Sequence, residues 1–60
     1  MVYEVMLAYK DGEETVVKQI VDVCDVEIEV GIYLFRDNEQ HILFSAPSDS
    51  VIYIQRISWG

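Results

Sequence analysis

The sequence predicts an all-β domain of five short antiparallel strands curled into a small barrel or roll, and three observations carry that prediction. Apolar residues alternate in residues 2–9 and 26–30, the period of a half-buried strand. Turn-forming residues (Asp11-Gly12, Asp37-Asn38, Pro47) punctuate the chain at short intervals. The intervening runs are rich in Val, Ile and Tyr, which suit a pleated surface better than a helix.

In chain order, residues 2–9 place Tyr3, Val5, Leu7 and Tyr9 on one side of a first strand. Lys10-Asp11-Gly12-Glu13 follows, and Asp-Gly between apolar runs signals a hairpin turn. Residues 14–24 admit two readings. Val16, Val17, Ile20, Val21 and Cys24 fit a helical stripe, with Asp11 and Glu14 as a capping box. The β-branched load of Thr15, Val16, Val17, Ile20, Val21 and Val23 favours a strand, the state expected for residues 14–23. Val26-Glu27-Ile28-Glu29-Val30 alternates cleanly, with Gly31 as a bulge or bend before the apolar run Ile32 to Phe35. Arg36-Asp37-Asn38-Glu39 is a second tight turn, with Asp-Asn suited to positive φ. His41 to Ala46 is the fourth strand, Pro47 to Ser50 a breaker of one 3₁₀ turn, and Val51 to Ile57 the fifth strand. A small, strongly bent sheet is the arrangement that buries both faces of residues 32–35.

Sixty residues make a single domain, near the lower limit for a chain that folds alone. Cys24 is the one cysteine, so no internal disulfide is expected, and with one histidine no structural zinc site is expected either. Self-association, a homodimer in its simplest form, is the remaining source of extra stability. An apolar fraction of 52% excludes intrinsic disorder. A formal charge of −7 argues against direct contact with nucleic acid or an anionic membrane. No basic segment precedes an apolar stretch and no apolar run approaches a membrane span, so a cytoplasmic location is expected. The unpaired cysteine fits a reducing compartment.

The pattern of strand, Asp-Gly turn, strand, Val26-x-Ile28-x-x-Gly31-x-Tyr33-x-Phe35-Arg36-Asp37, a strand ending Ala46-Pro47, then Val51 to Ile57 resembles small SH3-like β proteins. Many of these are encoded by phages and mobile elements of bacteria. The resemblance implies a counter-defence inhibitor similar in style to anti-CRISPR or anti-restriction proteins, and it assigns no functional residue.

Asp22, Asp25, Glu27 and Glu29 form an acidic stretch with no base among them. On a strand, Asp25, Glu27 and Glu29 project from one face ~6.6 Å apart, twice the ~3.3 Å rise per residue. DNA phosphates rise by ~3.4 Å per step of each strand, so such a row imitates a nucleic-acid backbone, or meets a basic protein surface. The competing reading is a solvated face whose charges deter edge-to-edge aggregation. A strand holds the carboxylates too far apart to share a calcium ion.

His41, beside a turn with no nucleophile or carboxylate at a telling spacing, reads as solvated rather than as a general base. Cys24 lies between Asp22 and Asp25, which suppress a thiolate, and reads as a small buried apolar residue. Trp59 either folds back on the domain or anchors a partner. No catalytic set or cofactor is expected. The sequence leaves two function classes: an acidic inhibitor acting through Asp22, Asp25, Glu27, Glu29 and Trp59, or a homo-oligomeric assembly protein.

Overall fold

A computed structural model describes residues 1–8 and 14–58 of the chain, Ser58 by its backbone alone. Six strands follow in order: β1 (Val2–Ala8), β2 (Thr15–Ile20), β3 (Asp25–Glu29), β4 (Ile32–Arg36), β5 (Ile42–Pro47) and β6 (Val51–Ser58), with a 3₁₀ turn at Ser48–Ser50 before β6. They form two antiparallel three-stranded sheets, ordered β2-β1-β6 and β3-β4-β5. The strand reading of the ambiguous second segment holds for Thr15–Ile20. The Lys10 to Glu13 turn, Tyr9 and Trp59 lie outside the described residues.

The two sheets meet at a bend between β2 and β3. Ile20 stands opposite Tyr3 in the β1–β2 ladder. Beyond it, Met1 and Val23 exchange N–H···O bonds of 3.1 and 3.0 Å. From Ile20 to Val23 the chain takes three steps while β1 takes two, so one residue is extra. Asp22, with φ 63°, absorbs it. The next residue, Cys24, donates its N–H to Arg36 O at 2.7 Å, and pairing has passed to β4. A strand that changes sheets through a bulge is how sheets turn a corner.

The bulge decides which side chains point inward. Val23 becomes almost fully buried, alongside Val5, Ile20, Phe35 and Ala46. Cys24, expected in the core, is exposed instead, because the slip of one residue exchanges the two faces. Phe35 is the hub: its ring meets Tyr3 of the first sheet at 5.9 Å and Phe44 of the second at 5.7 Å, both edge to face. The Cα framework is only 12 Å deep in its thinnest direction, the depth of two sheets stacked about 10 Å apart.

Six strands correct the expected five, and among the described residues no ladder closes the sheets into a barrel. The extra strand arises at Val30-Gly31. Val30, expected as the end of an alternating strand, and Gly31, expected as a bulge or bend, reverse the chain: both have positive φ, 49° and 75°, and Glu29 pairs with Ile32 across them. Consecutive positive φ values in a two-residue loop are the type I′ hairpin pattern. At the second turn, positive φ falls on Gln40 (70°) rather than on Asp37-Asn38. There the Asp37 carboxylate accepts the N–H groups of Glu39 and His41, both at 2.9 Å, and holds residues 37–39 in place.

Val30 is a β-branched residue in a region that disfavours Cβ by roughly 1–2 kcal/mol, and its side chain makes no compensating burial, being 100% exposed. Asn is a preferred residue at this turn position. Val30→Asn should therefore raise the free energy of unfolding by about 1 kcal/mol. Urea titration of both proteins, with matched slopes and at a concentration low enough to keep each monomeric, is the check; a lower midpoint for the variant would show that the turn is not strained.

Candidate functional site

Strand β3 carries the acidic row. Val26 and Ile28 share the face opposed to Phe35 and Tyr33, which is the face turned to the core. Alternation therefore sends Asp25, Glu27 and Glu29 to the outer face of the second sheet, where their partners across β4 are Arg36, Leu34 and Ile32. The row is thus a line of carboxylates along an apolar stripe, on a strand paired along its length.

Arg36 changes the electrostatics of that line. Its guanidinium bonds the Glu27 carboxylate through Nη1 and approaches Glu29 at 3.7 Å through Nη2. Sequence reading found no base within the row, and none is there; the counter-charge comes from the adjacent strand. The signal was present in the alternation of residues 25–36, but only the β3–β4 register places Arg36 beside the row. Asp22 does not join it: it occupies the exposed bulge at the bend, outside the ladder. Trp59 lies outside the described residues, so no geometry links it to the row.

His41 has a carboxylate partner after all, four residues before it. Its Nδ1 stands 3.3 Å from Asp37 Oδ2, and the ring is 71% exposed. The other oxygen of Asp37 serves the two backbone donors of the turn, so the pair works first as a turn lock. The His41 and Glu39 N–H bonds, with the His41 ring, hold the Asp37 carboxyl below the ordinary aspartate range. A further polar pair lies on the outer face of the first sheet, where the Tyr53 hydroxyl donates to Glu4 at 2.6 Å. That bond pushes the phenol's pKa up, since ionisation would forfeit the donated hydrogen bond.

A shallow groove of about 440 Å³ opens between β2 and β5, lined by Lys18, Gln19, Ile20, Val21, Leu43 and Phe44. Among the described residues no group of three or more His, Cys, Asp or Glu side chains is placed to hold a metal ion, and no helix is long and apolar enough to cross a membrane. Comparisons with protein-family models, with curated proteins and with solved structures found no match.

Two outcomes follow from this geometry. Replacing Arg36 by Gln leaves Asp25, Glu27 and Glu29 to repel one another, which should lower stability by about 1 kcal/mol at low salt. The loss should shrink as salt screens the row, a trend that chemical denaturation at two ionic strengths will show or refute. Asp37 gives a pH dependence. Its folded pKa is depressed, so its stabilisation is present above the unfolded aspartate value and is lost as pH falls through the folded value. In urea titrations taken below about pH 4, the native protein should lose stability more steeply than Asp37→Asn.

Proposed function

We propose that this protein is a small acidic, non-catalytic binding module, and specifically a phage-type inhibitor that docks on a host nucleic-acid-handling or defence enzyme. The observation that supports it is the line Asp25, Glu27, Glu29 on the outer face of an edge strand paired with β4 along its whole length. Rigid support keeps the ordering entropy of binding small, and a net charge of −7 steers the protein toward a basic surface. The partner is a protein with a basic groove, met in the host cytoplasm. In this reading the two sheets are an SH3-like roll, with β2 and β3 as the halves of one bent strand and the Ser48–Ser50 turn leading into the last strand.

A second reading, a homo-oligomeric assembly protein, is favoured by a different observation. Nine large apolar side chains among the described residues are exposed, including Val21, Ile28, Val30 and Ile42 at more than half of their area. Exposed apolar groups in this concentration on a small domain mark contact surfaces.

The two readings part on charge. With the protein immobilised as bait in bacterial lysate, a partner that recognises the row should be captured by the wild type and lost on replacing Asp25, Glu27 and Glu29 together by Lys. Capture should also weaken as the Debye length shrinks from ~30 Å at 0.01 M to ~10 Å at 0.1 M salt. A partner retained equally by the triple variant at both salts would rule out the acidic row as the contact.

A further inference from the structure

We infer that the β3–β4 hairpin tip of one copy docks in the β2–β5 groove of a second copy, forming a twofold dimer. This inference rests on the self-association reading above and names its contact.

The tip is an apolar knob. Val30 stands fully exposed at its apex, with Ile28 at 56% and Ile32 at 42% on the strands that lead to it. The loop is held in place: Ser48 donates its N–H to Gly31 O at 2.7 Å, tying the turn to the segment before β6. A conformation that is costly for valine is therefore presented rigidly, with an apolar side chain in water. The exposure cost falls if the tip is buried, and because the turn is already held in place, docking adds little ordering cost.

The groove has the complementary character. Ile20, Val21, Leu43 and Phe44 give it an apolar lining, and Lys18 and Gln19 flank them. Five of the nine exposed large apolar residues (Val21, Ile28, Val30, Ile32 and Leu43) belong to the knob or the groove. Charge agrees as well. Glu29, 62% exposed at the base of the knob, pairs with Arg36 at 3.7 Å and can in addition meet the ammonium of Lys18, which lines the groove.

A copy cannot fill its own groove. Ile32 adjoins the tip, while Arg36 pairs with Ile42 at the opposite end of β4 beside Leu43. Four strand steps, about 13 Å, separate the two ends. Two copies laid antiparallel bring each tip to the other's groove, so the contact occurs twice and the assembly closes. The area is within reach: a specific interface of about 1,200 Å² takes about 600 Å² from each copy, near one seventh of the 4231 Å² surface. The contact leaves Asp25 and Glu27 on the outer face, open to a basic partner.

Sedimentation equilibrium from micromolar to submillimolar concentration tests this. The wild type should pass from monomer to dimer mass. Val30→Asn, which suits the turn better, should raise the dissociation constant at least about tenfold while circular dichroism stays that of the native fold. Lys18→Glu should weaken the dimer similarly, and adding Glu29→Lys to it should restore association. A wild type that stays monomeric throughout overturns self-association altogether. A dimer untouched by Val30→Asn, a failed charge-swap rescue, or growth into larger polymers overturns this contact while leaving self-association standing.

Discussion

The bend at Val21 to Cys24 is the constraint on which the rest of the structure depends. A chain this short buries five apolar side chains completely or nearly so, two of them, Ile20 and Val23, on either side of the bulge. Asp22 takes the extra residue and a positive φ, and in doing so rotates Val23 inward against Phe35 and Val5. Without that slip, alternation from Ile20 would carry residue 23 to the solvent face and turn Asp22 and Cys24 toward the junction of the sheets instead. The same slip hands the chain from β1 to β4 within one residue. Sheet pairing and core packing are thus coupled through one bulge, and neither is available separately.

The outer face of the second sheet reflects a different balance. Three carboxylates in line repel one another, yet each stands on a strand whose opposite face is needed in the core. Arg36 resolves this from the neighbouring strand, and its own place is set by Phe35 beside it, the most central ring of the core. The acidic row is consequently a partly neutralised surface. The turn after β4 is held by a different device, the Asp37 carboxylate, which serves two backbone donors and leaves one oxygen to His41.

Local periodicity made much of this legible in the sequence. The alternation of Tyr3, Val5 and Leu7, and of Val26 with Glu27 and Ile28 with Glu29, belongs to single strands and needs no tertiary information. Pro47, which cannot donate to a ladder, marks the end of β5. What was not legible depended on register or on residues acting against type. Valine is a poor signal for a left-handed turn, so the reversal at Val30-Gly31 looked like a bulge in one longer strand. Cys24 looked buried because the bulge at Asp22 has no reliable sequence mark, and a slip of one residue inverts every later face. Arg36 and Glu27 are nine positions apart, and only the pairing of β3 with β4 makes them neighbours.

The acidity of the chain bears on how so much apolar surface is tolerated. Among the described residues β2, β3, β5 and β6 are all sheet edges, and Ile42 on β5 and Ile52 and Ile57 on β6 are exposed. Such edges invite pairing with other chains. A charge of −7 on 60 residues opposes indiscriminate approach of one copy to another at every orientation. Repulsion of this kind is long-ranged and has no shape, so it suppresses weak contacts everywhere. A contact that buries a fitted apolar surface with one opposed charge pair can overcome it, because packing acts at short range and screening leaves it intact. High net charge and exposed apolar groups are therefore compatible on one small domain. The charge sets a threshold that only a complementary surface passes, and in this molecule that selectivity matters more than the affinity of any single group.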